Sequence, residues 1–441
     1  MIQTHWRSST AFVTFVVCVA VFTDIFMYGL VVPMLPFALS SRIGLSDSVI
    51  QLWVSIVLAS YGASILLGSL LFGWLGDRTK NKKTPFLLGL VMMGCATLLF
   101  ALSRSLTLLL VARVFQGLST AIVFTIGFSL LVDAVGNEHI GRALGFTSMS
   151  LSLGLFGGPI IGGFIYDRAG YLVVFVPAFV LIVLEIILRL LLRSPSETPS
   201  SVGSLDPTDP SENSPLLLRL PQKHKTSSPA LLALLRSVRF LVAMTGMCML
   251  NLFMTAFEAV LPVYMRELFD YSSSQIAIIF LSNTLPMVLS PVSGTLVDRI
   301  GSFWPAVAGF ALATPSMMLL GIIQHDTVLC SILMRVFLFA FGSGVSMAMP
   351  AMMTEISMAA EAVEHQRPGI FGLKGAYSTA YGLSNAAFAG GTLAGPLFAG
   401  YVRECAGWTA MSIALGLLSM LMTLLIVLCT RPKSRPVAEG G

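Results

Sequence analysis

Twelve runs of apolar residues, each long enough to cross a bilayer as a helix at ~1.5 Å per residue, constrain this chain more than any motif in it. They centre near Tyr28, Tyr61, Met93, Ile122, Leu155 and Val180, then near Leu252, Met287, Leu312, Phe341, Ala387 and Leu418. Charged residues make up 11% of the chain, against roughly 25% in a soluble domain, and the mean hydropathy is +0.87. The sequence therefore predicts an all-α polytopic membrane protein whose surroundings are the lipid bilayer. The first run, from about Ala11 to Leu39, is too long for a cleavable signal and contains an acid. Residues 194–235, rich in Ser, Pro and charge (SPSETPSSVGSLDPTDPSENSP), are expected to form a disordered linker. It would separate a six-helix bundle over 1–193 from a second over 236–430, followed by a tail over 431–441.

Charge placement sets the expected orientation. Arg42, Arg104, Arg168, Arg266 and Arg403 fall one per loop on one face, while Arg113 and Arg335 lie inside spans. The rest of the 26 Lys and Arg, Arg189 among them, fall on the face that carries both termini and the linker. By the positive-inside bias that face is cytosolic, in the plasma membrane or alternatively a vacuolar or vesicle membrane. Because the net charge of +5 follows topology, it gives no reason to expect nucleic-acid binding. The six cysteines are scattered without metal-ligand spacing, and no metal or other cofactor is expected. Five dispersed histidines and the absence of a phosphate-cradling loop argue against an enzyme.

The halves repeat one another. Gly154–Gly163 reads GLFGGPIIGG and Gly391–Gly400 reads GTLAGPLFAG. Gly154, Gly158 and Gly162 form one row, with Gly163 beside it, and Gly391 and Gly395 form the matching row. Such rows let a neighbouring helix approach backbone to backbone, while Pro159 and Pro396 each remove a donor and loosen the helix. Two more pairs occur in the same order: GWLGDR (Gly73–Arg78) with GTLVDR (Gly294–Arg299), and ARVFQG (Ala112–Gly117) with MRVFLFAFG (Met334–Gly342). A duplicated six-span unit follows, with two bundles related by a pseudo-two-fold axis. Parallel repeats of this kind place a site between the halves near the midplane and suit alternating access.

Chemistry must come from polar groups inside the apolar runs, because a charge there costs roughly 2.5–3.5 kcal/mol or more. Asp24 in the first span either exchanges a proton or substrate, or joins helices as a permanent contact. Arg113 in the fourth cannot lose its charge and needs an anion; Asp24 is the natural partner, as a protonation switch or as a fixed ion pair. Glu258, the buried acid of the second half, stands seven residues after Asn251 on the same face and serves either a substrate or proton, or a helix contact. Tyr28, Gln116, Tyr377 and Tyr381 are candidate cavity liners or packing residues. Glu185 and Arg335 have weaker claims, and the 23 methionines suit a permissive pocket. Gly73, Asp77, Arg78, Asp298 and Arg299 close the second and eighth spans; they read as latches on the cytosolic side, or as topology signals alone.

These residues carry a family resemblance. Over nearly its whole length the chain resembles a major facilitator superfamily transporter. GWLGDRTKNKK is similar to the signature between spans two and three, except that Lys80 and Asn81 replace its usual Gly-Arg. ARVFQG resembles the fourth-span signature, and Gly154–Gly163 the fifth-span signature associated with proton-coupled antiporters. Thr23–Phe37 and Asn251–Met265 look like fungal drug/proton antiporters and vesicular amine transporters, which carry an Asn and a cavity Glu at the spacing of Asn251 and Glu258. Asn385 falls where those transporters have an essential aspartate, and the second span lacks their lysine. The resemblance implies the major facilitator fold and a monomeric antiporter that exchanges protons for a small organic substrate such as a drug, toxin or secondary metabolite. Export or sequestration is expected, with uptake by a facilitator or proton symporter as the alternative.

Overall fold

A computed structural model of the chain describes residues 9–78, 83–135, 140–191, 228–366 and 375–430, without the side chains of 73–78, 132–133, 140–145, 148, 228–231, 291 and 375–382. These residues are helical almost throughout, and no strand occurs among them. Ten of the helices are long and apolar enough to cross a membrane. Spans 1 to 6 are Thr10–Val31, Asp47–Phe72, Lys83–Leu102, Leu106–Leu131, Met149–Ala169 and Val173–Leu191. Spans 7, 9 and 10 are Val238–Phe269, Phe303–Leu320 and Val328–Gln366. Span 8 is a pair, Ser273–Leu289 and Val292–Ile300, bent by 44°. Pro286 and Pro291 at the bend withhold backbone donors, and Leu285–Leu289 tightens into a 3-10 turn. The last helix, Gly375–Cys429, is broken at Gly407, whose φ of 83° is open to glycine without a Cβ clash. That break divides it into spans 11 and 12, so twelve spans are present as the apolar runs predict.

Serine caps start several spans. Ser9, Ser105 and Ser237 each accept from the backbone N–H three residues on, at 3.3, 3.4 and 3.4 Å. Span 8 opens on a capping box between Ser272 and Gln275. The linker expected over 194–235 lies mostly outside the described residues, as does the tail, but its last eight residues form a helix, Ser228–Leu235. SPALLALL supplies a proline in the first turn and then good helix formers, which the reading of 194–235 as wholly disordered overlooked.

The glycine rows meet neighbouring backbone as their spacing predicts. A Cβ added at Gly154 would lie 2.9 Å from Phe22 O, and one at Gly158 would lie 2.6 Å from Phe26 O, both on span 1. Gly162 faces the backbone of Leu30, and Pro159 seats on Gly29. In the second half Gly391 and Gly395 stand against span 7, 2.8 Å from Leu252 N and 3.0 Å from Ala256 N by the same measure. Span 5 therefore lies on span 1 as span 11 lies on span 7. Between the halves, a Cβ added at Gly163 would lie 2.6 Å from Ser273 O of span 8, and one at Gly62 of span 2 would lie 2.6 Å from the carbonyl carbon of Thr392 on span 11.

Candidate functional site

A cavity lies between the two sets of six spans. Tyr28 and Tyr61 line it from the first half, with Asn251, Glu258, Asn385 and Thr392 from the second. Met247, Met254, Met287 and Met349 supply much of its apolar wall. Glu258 is the one charged side chain lining it among the described residues. Span 1 runs away from the termini side and span 2 returns to it, so Tyr28 and Glu258 mark the deep end. The lining continues through Ser69, Phe124, Met247 and Met349 toward the ends on the termini side. Phe124 belongs to a π-helical turn, Val123–Gly127, an interruption that recurs at functional positions in helices.

The deep end is tied across the halves. Tyr28 Oη donates to Glu258 Oε2 at 2.6 Å, with both residues 7% exposed. Beyond it the polar contacts joining the halves gather at the end remote from the termini. Gln51 Nε2 donates to Ala259 O at 3.3 Å. Arg403 of span 11 donates to Gln51 Oε1 and pairs with Glu267. Arg266 donates to Pro36 O and Ser40 Oγ, both at 3.3 Å, and stands 3.5 Å from Asp47. Asp167 at the end of span 5 accepts from Ser274 N at 2.8 Å and from the Ser274 hydroxyl, an anion set at the start of span 8 as the helix dipole favours.

The sequence candidates fall into two groups. Asn251 lines the cavity and holds span 7 to span 11, donating to Phe388 O and Thr392 Oγ1 at 2.6 Å each. Asn385 also lines it. Gln116 is buried outside the lining; it donates to Thr97 Oγ1 and accepts from Arg113 Nη1, each at 3.3 Å. Arg113, 0% exposed, has Phe100 at 5.0 Å and Tyr28 and Tyr61 at 5.8 Å from its guanidinium carbon. Its Nε and Nη2 find no hydrogen-bond partner among the described residues.

Asp24, 2% exposed, also lies outside the cavity lining, and among the described residues neither carboxyl oxygen makes a hydrogen bond. The expected Asp24–Arg113 ion pair is therefore not formed in this conformation: Arg113 turns toward aromatic faces, while Asp24 faces Thr120 and has Glu185 and Arg189 as its charged neighbours. Arg189 corrects the charge count. It does not sit on the termini face but is buried inside span 6, paired with Glu185 one turn earlier and donating to Phe86 O. Asp298 and Arg299 are exposed and make no ion pair among the described residues. Half-buried Arg335 donates to Ser331 O of its own span at 3.4 Å. The side chains of Gly73, Asp77, Arg78, Tyr377 and Tyr381 lie outside the described residues.

Sequence reasoning missed Tyr61 and Thr120. Tyr61 stacks on Tyr28 with centroids 4.9 Å apart, and its hydroxyl shares a 3.0 Å hydrogen bond with Thr120 Oγ1. A tyrosine at the centre of an apolar run was the available signal. Arg403 and Glu267 were also missed, because a loop charge and a gate charge look alike in sequence.

The described residues show no group of His, Cys, Asp and Glu able to hold a metal. The family model described as Major Facilitator Superfamily matches residues 17–373. The MFS-type transporter C18.02 of Schizosaccharomyces pombe is 30% identical, covering 90% of this chain and 91% of its own. The synaptic vesicular amine transporter of Bos taurus is 23% identical over 88% of this chain and 67% of its own. Among solved structures, a bacterial homolog of the human lysosomal transporter Spinster, in an inward-facing and unoccupied conformation, superposes with a TM-score of 0.68 at 14% identity, covering 96% of this chain and 97% of its own.

Proposed function

The chain belongs to the Major Facilitator Superfamily, and from that premise we propose that it is a proton-coupled antiporter that exports or sequesters a small organic molecule, with a preference for lipophilic cations. The observation that carries this reading is Glu258: a carboxyl at the deep end of an apolar cavity, with no basic side chain among the lining residues. A carboxylate in apolar surroundings needs a proton, a cation or strong donors. Here Tyr28 supplies one donor. An ammonium head at Glu258 competes for the same oxygen, and its apolar body rests on the methionine wall, which adapts to varied shapes. The name of the amine-transporting relative supports the amine class.

The geometry supports a route for coupling. A cation bound at Glu258 displaces the Tyr28 hydroxyl and so removes a tie between spans 1 and 7. Asp24, buried beside Thr120, carries the exchanged proton. With the termini in the cytosol, the conformation described is the cytosol-facing one. Asp298 and Arg299, without an ion pair among the described residues, latch the cytosolic side when the protein faces outward, together with Gly73, Asp77 and Arg78. The Gly-Pro motifs (Gly154, Gly158, Pro159, Gly162 and Gly163, with Gly391, Gly395 and Pro396) hold spans 5 and 11 on their partners as the halves rock. The transporter acts as a monomer. Asn385 leaves the second half with Glu258 as the sole acid lining the cavity among the described residues, so one charge is read per cargo.

The testing experiment is flux into proteoliposomes with tetraphenylphosphonium as the probe cation, with and without an imposed pH gradient. Accumulation that collapses with a protonophore supports the reading. Counterflow indifferent to pH would make the protein a facilitator.

A further inference from the structure

Behind the cavity wall, span 1 and span 6 enclose a second ionisable cluster. Asp24, Glu185 and Arg189 are 2%, 1% and 1% exposed, and none of them lines the cavity. Arg189 pairs with Glu185 through Nη2, donates through Nη1 to Phe86 O, and lays its guanidinium 3.6 Å from the centre of the Phe86 ring. Four buried polar atoms of this cluster lack hydrogen-bond partners among the described residues: both Asp24 oxygens, Arg189 Nε and Thr23 Oγ1. Each orphaned group costs about 1–3 kcal/mol in an apolar interior, a cost that a second pairing within the cluster would relieve.

We propose that Asp24, Glu185 and Arg189 form a single proton-binding site in which two carboxyls share one guanidinium, set apart from the cargo cavity. The inference rests on the reading of Asp24 as a proton carrier and names the partners of that carrier. In the state described, Glu185 holds the guanidinium and Asp24 carries the proton. Loss of the proton leaves a carboxylate on Asp24, which takes the free Arg189 Nε–H and the Thr23 or Thr120 hydroxyl. One proton leaves, no covalent bond other than O–H breaks, and both Asp24 oxygens and Arg189 Nε, orphaned in the state described, gain partners. The departing proton has a short route, because Thr120 faces Asp24 and both Thr120 and Tyr61 line the cavity.

Span 6 brings Glu185 and Arg189 to the site, and span 2 brings Tyr61. Span 4 brings Thr120, and span 3 brings Phe86, with Lys83 at its start donating to Leu190 O at 3.4 Å. Arg113 faces Tyr28, Tyr61 and Phe100 instead. Proton and cargo therefore occupy different carboxyls, joined through span 1, which carries both Asp24 and the Tyr28 hydroxyl bound to Glu258, and through Tyr61, which stacks on Tyr28 and bonds Thr120.

The test is pH-induced infrared difference spectroscopy of the full-length protein in lipid, which needs no substrate. The carboxyl band absent from Asp24→Asn is assigned to Asp24, and its titration midpoint is followed in Glu185→Gln, Arg189→Gln and Arg113→Gln. The proposal expects Glu185→Gln and Arg189→Gln to displace the midpoint in opposite senses, each by about one pH unit, tenfold in proton affinity, while Arg113→Gln leaves it in place. An unmoved midpoint in Glu185→Gln overturns the proposal even if Arg189→Gln does not fold. So does a displacement by Arg113→Gln as large as that by Glu185→Gln. If no titrating band is lost in Asp24→Asn, the carrier reading itself fails, and this site with it.

Discussion

The hydroxyl of Tyr28 and the carboxyl of Glu258 meet at 2.6 Å, one from each half of the molecule, at the deep end of the cavity. A hydrogen bond to a charged group contributes about 1.5–3 kcal/mol. Tyr28→Phe keeps the ring stacked on Tyr61 and removes the bond alone. It is expected to favour the outward-facing state by about tenfold. Alkylation of a cysteine placed at Ala259, by an impermeant reagent added from the side opposite the termini, reads that change.

Asp24→Asn removes the titrating group without touching the cavity lining. Binding of tetraphenylphosphonium and its exchange across the membrane without a gradient should persist within about twofold. Accumulation driven by a pH gradient should be lost. Counterflow and gradient-driven uptake measured on one preparation separate the two.

The remote end should depend on Arg403 more than on its acid. Arg403 is 9% exposed and serves both Gln51 and Glu267, whereas Glu267 is 50% exposed. A solvent-exposed pair contributes about 0–1 kcal/mol. Glu267→Gln should therefore change little, and Arg403→Met should speed hydrogen exchange of the helix ends around Gln51 and Ala259.

Adjacent glycines should differ sharply. A Cβ at Gly158 meets Phe26 O at 2.6 Å, while one at Gly157 finds the Phe26 ring at 3.7 Å, an ordinary contact. Gly158→Ala, and Gly391→Ala in the second half, should each cost about 1–3 kcal/mol by forcing packed helices apart. Gly157→Ala should be near neutral. Thermal unfolding in a fixed detergent orders the three.

Span number, the duplication and the backbone contact along the glycine rows were legible because each rests on a periodic local pattern. Gly154 and Gly158 meet span 1 simply because nothing projects from them. Glu258 and Asn251 were legible as polar residues on one face of an apolar helix. The partner of Asp24 was not: Arg113 and Arg189 are both arginines near apolar runs, and only the packing of spans 1 and 6 decides between them. Arg189 read as a surface charge because it sits one turn from the end of its run, where a buried and a snorkelling arginine have the same sequence. Tyr61 was hidden for a related reason, since a mid-span tyrosine faces lipid, core or cavity according to helix rotation.

The most direct measurement is flux by purified protein in proteoliposomes of a panel of amphipathic cations, weak acids and neutral metabolites, with and without an acid interior, for the native chain and Glu258→Gln. The account predicts that cations accumulate only with the gradient and that Glu258→Gln lowers their uptake about tenfold or more, the equivalent of about 1.4 kcal/mol. Undiminished cation flux in Glu258→Gln, or accumulation of the same size with no pH difference, would contradict it.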